Sequence, residues 1–310
     1  MDEQNDGLPI IELDGISKIF GSVTALDNLS IKIRPGATGL LGPNGSGKTT
    51  LIRTILGLIK PHSGRGKVFG LDIRTRQLDI RRQIGFAPED DALFPGVHGI
   101  ESVAYAGELC GMPHSEAMQR AHEVLDYVGL GEVRYRKVES YSSGMKQRLK
   151  LAAAIVHDPR LLIMDEPTNG MDPAGREHIL KLANDLAANK GMSLIFSSHL
   201  LPDVEAVCRR ILVLSGGKLL IEGDISELKK VHPSSFDLRL KESTATFAEH
   251  IRAAGCEVEF LGEILRVKIP AGQTRELLWR QAVVHGVQIR HLRPQQSTLE
   301  EVFLGAVEHA

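Results

Sequence analysis

The stretch GPNGSGKTT, residues 42–50, constrains this chain more than any other segment. It fits the pattern G-x-x-x-x-G-K-[ST]. It follows the apolar run TGLL and precedes TTLIRTILG, which carries helical periodicity. A strand, a glycine-rich loop and a helix in that order are the context in which the pattern holds a phosphate. Gly42, Gly45 and Gly47 let the backbone curl until consecutive N–H groups point inward. The helix that follows adds the positive end of its dipole. Lys48 is placed to reach the β- and γ-phosphates of a nucleotide, and Thr49 to ligate Mg2+. Pro43, Asn44, Ser46 and Thr50 complete the predicted nucleotide-binding loop.

A second stretch supplies the complementary chemistry. In LLIMDEP, residues 161–167, four apolar residues carry Asp165 and Glu166 to the carboxyl end of a predicted buried strand. Open α/β sheets bind their ligands at that edge. Asp165 suits the outer coordination sphere of Mg2+. Glu166 suits a general base that polarises water for in-line attack on a γ-phosphate.

Short apolar runs alternate with helical patterns across residues 10–223. Residues 38–42, 160–166 and 193–199 read as buried parallel strands that end in polar turns, which predicts an α/β layer architecture. Residues 90–150 break the alternation and read as a helical insertion. Residues 210–224 read as a closing hairpin around Gly216 and Gly217. A second unit follows. Its pattern is β-α-β-β-α-β plus a final helix, the order of a small ferredoxin-like α+β module. Ser297 and Glu300 are the predicted capping box of that last helix. The expected boundaries are 8–228 and 229–310. The second unit carries no catalytic constellation; a structural or dimerisation role and a ligand-sensing role both stand for it.

Five more segments occur in order, and with them the chain resembles the ATP-binding cassette (ABC) transporter ATPases. YSSGMKQR, residues 141–148, resembles the family's signature turn. TNGMDP, residues 168–173, resembles its D-loop, with Asp172 the key acid. SSH places His199 at the switch histidine. IGFAPED, residues 84–90, resembles the Q-loop region. ISKIFGSVTAL, residues 16–26, resembles the strand whose aromatic, here Phe20, stacks on adenine. The resemblance implies a P-loop cassette with a RecA-like core, a β subdomain and a helical insertion. It also implies ATP and Mg2+ as ligands, and Lys48, Glu166 and His199 as catalytic groups. In this family two cassettes pack head to tail, so that Ser142, Ser143, Gly144 and Met145 of one chain cover the nucleotide on the phosphate loop of the other. A homodimer of this chain is the implied assembly. The helix starting at the turn, with Met145, Leu149, Ala152 and Val156 on one face, would aim its dipole at that charge.

The chain departs from the usual pattern at four positions. Tyr141 stands for Leu, Ser143 for the first Gly of the signature turn, and Met145 for Gln. Glu89 stands where most members have Gln; a carboxylate there can still ligate Mg2+ but adds negative charge beside the phosphates. These features, with the C-terminal STLEEVFL, resemble the drug- and antibiotic-resistance branch. That branch implies a separate membrane subunit of the ABC-2 type. Phe94 and Pro95, apolar residues of the loop 91–99, mark the expected dock for a helix of that subunit. Other ATPases of this kind serve copper-site maturation, sodium extrusion or lipid export, and the sequence does not separate them. A mechanical ABC ATPase that signals without transport, and a soluble one in translation or DNA maintenance, are the competing readings. The second usually needs tandem cassettes or a long coiled coil, and this chain has one compact cassette and no heptad run.

Bulk properties close off other classes. Thirty-seven basic and 39 acidic residues give a net charge of −2, which argues against a dedicated nucleic-acid binder. No apolar run approaches the roughly 18 residues of a membrane span, and residues 1–7 lack a signal peptide's apolar core. The expected location is therefore the cytoplasm, peripheral on the inner face of the membrane through the partner. Cys110, Cys208 and Cys256 are far apart and read as thiols in a reducing compartment. The 12 histidines form no HxH or HExxH spacing, so no zinc site is expected. The basic clusters at 74–82 and 134–138 read as solvated faces or as an interaction patch.

Overall fold

The computed structural model describes residues 8–90, 93–229, 231–241, 244–270, 272–296 and 298–308. The first elements are β1 (Ile11–Phe20), β2 (Val23–Ile33), β3 (Ala37–Leu41), α1 (Lys48–Ile55), β4 (Ser63–Val68) and β5 (Leu71–Asp72). They are followed by α2 (Gln77–Arg81), β6 (Ile84–Ala87), α3 (Gly99–Leu109), α4 (His114–Tyr127) and α5 (Ser143–Ile155). Next come β7 (Leu161–Asp165), α6 (Pro173–Ala188), β8 (Ser193–Ser198), α7 (Leu201–Val207), β9 (Arg210–Ser215) and β10 (Lys218–Asp224).

The central sheet has the order β10-β9-β3-β8-β7-β6. Pairing from β9 through to β6 is parallel, and β10 joins antiparallel by a hairpin. Every residue of β7 and β8 is buried. The apolar runs Leu161–Met164 of β7 and Leu194–Phe196 of β8 suit parallel strands covered on both faces. Register decides where the chemistry goes. Leu41 pairs with Ser198 and Asp165 with Ser197. The carboxyl ends of β3, β8 and β7 therefore finish level, and the segments that follow them leave from one edge of the sheet.

A second, antiparallel sheet has the order β2-β1-β4-β5. Its inward side chains Ile11, Leu13, Leu29 and Ile31 share one buried cluster with Leu51, Ile52 and Ile55 of α1 and with Leu161 and Ile195 of the central sheet. Helix α1 is thus held by apolar burial, the dominant favourable term in folding. Segment 16–26, read from the sequence as one strand, is a hairpin. Strand β1 ends at Phe20, β2 starts at Val23, and these two residues are cross-strand partners. The helical insertion is α3, α4 and the start of α5. Leu149 and Ala152 of α5 and Val156 just beyond it are buried, but so are Lys150, Leu151, Ala154 and Ile155, while Met145 of the predicted face is only partly buried; the second half of α5 is enclosed on more than one side. Arg134, expected on a solvated face or in an interaction patch, is 8% exposed and bonds the His122 carbonyl and Asp126 instead.

The chain divides into two compact units between Ile225 and Ser226, the second running Ser226–Gly305. After the short helix α8 (Ile225–Leu228), the elements are β11 (Val231–Leu240), α9 (Thr244–Ala253), β12 (Glu257–Leu261), β13 (Ile264–Lys268), α10 (Glu276–Val284), β14 (Ile289–Gln296) and α11 (Leu299–Glu308). The sheet order β12-β13-β11-β14 is that of a ferredoxin-like module. Phe236, Leu238, Phe247, Ile251, Leu265 and Leu278 form its core. The capping box predicted at Ser297 and Glu300 is corrected. Ser297 lies outside the described residues, and the reciprocal pair is Thr298 with Glu301. Thr298 N donates to Glu301 Oε2 at 3.0 Å, and Glu301 N to Thr298 Oγ1 at 3.1 Å. Thr serves an N-cap as well as Ser, so the pattern alone could not choose between adjacent boxes.

Gly85 shows how closely α5 lies on the sheet. A Cβ built there would come within 2.1 Å of the Ala154 carbonyl oxygen. Backbone cannot yield as a flexible side chain does. Gly85→Ala should therefore destabilise the first unit by about 1–3 kcal/mol through overpacking. Urea unfolding with an unchanged midpoint would show that α5 and β6 are not in such close contact.

Candidate functional site

The loop between β3 and α1 needs glycine at both ends: a Cβ on Gly42 would sit 2.4 Å from the Leu214 carbonyl oxygen. Gly47 caps α1 with a φ of 105°, in the left-handed region that favours glycine. A Cβ there would sit 2.4 Å from the Ala25 carbonyl oxygen. Lys48 follows, and its side chain is only 7% exposed. A buried ammonium is tolerated only with close partners, and Lys48 has them. Its Nζ donates to the Gly42 carbonyl at 2.7 Å and to the Pro43 carbonyl at 3.3 Å, and lies 3.8 Å from Glu166 Oε1.

The level strand ends bring the acids and the histidine to the same place. Thr49 Oγ1 donates to Asp165 Oδ2 at 3.2 Å, linking residues 116 positions apart. Glu166 has a φ of 47°, a strained value for a residue with a Cβ, of a kind that clusters at functional sites. Its backbone is held on both sides: its N–H donates to the Ser197 carbonyl at 3.0 Å and its carbonyl accepts from Asn169 N at 3.1 Å. His199 N donates to Glu166 Oε2 at 3.4 Å, and the same oxygen lies 2.7 Å from His199 Nδ1. A cleft of about 400 Å³ is lined by Asn44, Gly45, Ser46, Gly47, Lys48, Thr49 and Thr50, by Glu89, Asp165, Glu166, Asn169 and His199, and by Val23 and Ala25.

Burial pushes the Asp165 carboxyl above the usual carboxylate range, and the Glu89 charge adds to the effect; the Ser197 and Thr49 hydroxyls and the Lys48 charge oppose it. Asp165 Oδ1 and Ser46 Oγ are buried with no hydrogen-bond partner, and such groups in a folded protein call for an explanation. The cleft's oxygen donors, Thr49, Asp165 and Glu89, suit a hard divalent cation. Among the described residues no three His, Cys, Asp or Glu side chains could hold a metal by themselves. Mg2+ characteristically completes its shell with water and substrate phosphates rather than with an all-protein cage, so these residues fit it.

The ABC transporter family model matches residues 26–169. The chain is 34% identical over 303 residues to the linearmycin resistance ATP-binding protein LnrL of Bacillus subtilis (strain 168), covering 95% of this chain and 97% of the relative. It is 33% identical to the bacitracin transport ATP-binding protein BcrA of Bacillus licheniformis, over 95% of this chain and 96% of that protein. The chain belongs to the ABC transporter ATP-binding family. The fold agrees: cbiO1 from Clostridium perfringens, part of the ABC transporter complex cbiONQ, superposes with a TM-score of 0.65 at 27% identity, covering 72% of this chain and 91% of that one. A dimeric, post-hydrolysis structure of the ATP-binding cassette MJ0796 with ADP and Pi superposes with a TM-score of 0.64 at 25% identity, over 69% and 98% of the two chains. The chain is thus an ATPase, the ATP-binding subunit of a transporter, with relatives in antibiotic and drug resistance.

The other expected elements of this ATPase lie at several places. Among the described residues Ser142, Ser143, Gly144, Met145 and Asp172 do not line the cleft. Ser142 is the N-cap of α5, its Oγ accepting from Met145 N at 3.3 Å. Asp172 is the N-cap residue of α6. Phe20 is 47% exposed with the Lys18 ammonium 5.0 Å from its ring centre; its strand partner Val23, not Phe20 itself, lines the cleft. Tyr141 is buried, and its hydroxyl donates to the Val133 carbonyl at 2.8 Å.

Sequence reasoning missed two groups of residues. Asn169 Nδ2 donates to Glu89 Oε1 at 3.0 Å. Fully buried Asp203 accepts from Thr168 Oγ1 and from Arg176 Nε, each at 2.6 Å, tying the segment after Glu166 to α6 and to the helix after His199. The available signal was Asp203 itself, an acid in the first turn of a helix just beyond the histidine.

The orphaned Asp165 oxygen generates a prediction. Asp165→Asn keeps the shape but removes a buried charge, so without nucleotide and Mg2+ the variant should be more stable by about 1 kcal/mol, a rise of about 2–4 °C in the unfolding midpoint. The further rise that Mg2+ and ATP together give the wild type should be lost. A lower midpoint, or an intact response to Mg2+ and ATP, would contradict this account of Asp165.

Proposed function

We propose that the chain energises a membrane exporter by ATP-driven pairing of two copies, each hydrolysing ATP at a site completed by the other. One observation carries this reading. Lys48, Thr49, Asp165, Glu166 and His199 line one cleft, while the turn 142–145, which heads α5 with its own N-cap, lines none of it. Each chain then holds one phosphate loop and one such turn, and a two-fold pair builds two equivalent sites.

In this reading Lys48 binds the β- and γ-phosphates. Mg2+, held by Thr49, Asp165 and Glu89, supplies charge neutralisation for the phosphates. Glu166 takes the proton of the attacking water. Its Oε2 faces His199 Nδ1, so the histidine fixes the carboxylate and orients the water or the γ-phosphate. Ser142 and the amides near Gly144 contact the γ-phosphate of the partner's nucleotide, with the α5 dipole directed at that charge. Asp172 bridges the two half-sites.

The membrane partner in this reading is a separate ABC-2 type subunit, and the chain is a cytoplasmic protein on the inner face of the membrane. Among the described residues no helix is long and apolar enough to cross a membrane. Phe94 and Tyr105 form an edge-to-face pair with ring centres 5.4 Å apart; both are about half exposed, and Leu109 beyond them is 67% exposed. Grouped exposed apolar side chains mark contact surfaces, so this surface is the proposed dock; Asp91 and Ala92 at its expected edge lie outside the described residues. The resistance relatives favour a drug or antibiotic as cargo.

Two defective variants test the pairing. Lys48→Ala removes the ammonium from its own loop, and Ser142→Arg puts a bulky group into the turn. Each homodimer carries a defect in both sites and should be nearly inactive. In a mixed dimer one site carries both defects and the other none. Mixing the two, with the membrane subunit present where pairing requires it, should restore ATP-driven association and part of the hydrolysis. Verified mixed dimers that neither associate on ATP nor hydrolyse it would contradict the reading; association without hydrolysis would mean that the two sites fire only together.

A further inference from the structure

Lys150 sits in the third turn of α5, on the helix headed by the turn 142–145, and is 3% exposed. Its Nζ donates to three consecutive carbonyls: Pro88 at 2.8 Å, Glu89 at 2.8 Å and Asp90 at 3.2 Å. Consecutive carbonyls of an extended strand point to opposite sides, and those of a helix run in one direction along its axis. Here three in a row converge on a single ammonium, so the segment has turned around the lysine. Three converging carbonyls without a cation would repel one another and be left poorly satisfied. Lysine is suited to the task, because its three donors radiate from one nitrogen.

We propose that Lys150 is a positioning residue for Glu89: it fixes the backbone from which the Glu89 carboxylate reaches the magnesium side of the ATP cleft. Glu89 is held at both ends. Lys150 grips its carbonyl, and Asn169, from the segment after Glu166, donates to its carboxylate at 3.0 Å. The close approach at Gly85 presses α5 onto the strand that leads into this segment. The lysine therefore makes α5 and the Glu89 segment one mechanical piece. Displacement of α5 at its first turn is transmitted to a cation ligand of the chain's own site. The inference rests on Glu89 being an Mg2+ ligand.

The experiment measures equilibrium binding of a fluorescent ATP analogue as a function of Mg2+, with amide hydrogen exchange at residues 89 and 90 and a thermal melt alongside. The proteins are wild type, Lys150→Met, Lys150→Arg, Glu89→Ala, and the double variant Glu89→Ala with Lys150→Met. Lys150→Met should need about tenfold more Mg2+ for half-maximal binding, the scale of losing a group that orients a metal ligand. Its binding of the analogue in EDTA should be unchanged, because the phosphate loop is untouched. The amides of residues 89 and 90 should exchange faster. Lys150→Arg should recover part of the Mg2+ response, since it keeps the charge but not the three-fold donor geometry. In the Glu89→Ala background the lysine change should add little.

Two failures are distinguishable. An unchanged Mg2+ curve for Glu89→Ala removes Glu89 from the metal sphere and takes the premise away. A shifted curve for Glu89→Ala with an unchanged one for folded Lys150→Met overturns the role of Lys150. A full Lys150→Met shift in the Glu89→Ala background also overturns it, because the lysine would then act through some other group. Should Lys150→Met fail to fold, the comparison of Lys150→Arg with wild type decides: a raised Mg2+ requirement supports the proposal and an unchanged one overturns it.

Discussion

The buried ammonium of Lys48 is the interaction on which the rest of the first unit depends. It is caught between the Gly42 and Pro43 carbonyls on one side and the Glu166 carboxylate on the other. Moving that charge from water into the protein costs several kcal/mol unless its partners are in place. Those partners come from two strands that are not neighbours, β3 and β7, with β8 between them. The level ends of these strands are therefore an electrostatic requirement as well as a packing result. The same requirement brings Thr49 to Asp165 and His199 to Glu166.

The arrangement is expensive in isolation. Glu89, Asp165 and Glu166 put three acids around one cleft, and Asp165 is held in surroundings that disfavour its charged form. Glu166 is in a backbone conformation that costs of order 1–3 kcal/mol and persists only where its neighbours impose it. Here they are the Ser197 carbonyl and the turn to Asn169. Strain and crowded charge at one edge of an otherwise apolar, regularly paired sheet are what a phosphate and cation site requires, and the hydrophobic cluster around α1 supplies the rigidity to hold it.

Local patterns made much of this legible. The phosphate loop declares itself because glycine and lysine spacing is enforced by the backbone, and the acids declare themselves because an apolar run must end where the sheet ends. The order of elements in the second unit was readable for the same reason, since alternation of period 2 and of 3.6 survives in the sequence. What could not be read are contacts between distant segments in which a side chain meets the main chain. Lys150 reaches carbonyls about 60 positions away, and a lysine in a helix looks like any solvated lysine until its neighbours are known. Asn169 on Glu89 and Asp203 on Thr168 and Arg176 are hidden likewise. The capping box was misplaced by one residue because two adjacent hydroxyl residues, Ser297 and Thr298, are each followed three positions later by glutamate.

The central claim is that ATP bound in this cleft joins two copies of the chain and that hydrolysis parts them. The most direct measurement is the solution mass, by light scattering, of Glu166→Gln, which keeps Lys48 and the phosphate loop but lacks the proposed base. With the membrane subunit absent or present as pairing requires, the mass should correspond to unpaired chains with ADP and Mg2+ and to paired chains with ATP and Mg2+. The paired form should persist, because turnover falls by at least about a hundredfold. A variant that binds ATP, fails to hydrolyse it and still shows no ATP-dependent pairing would contradict the account.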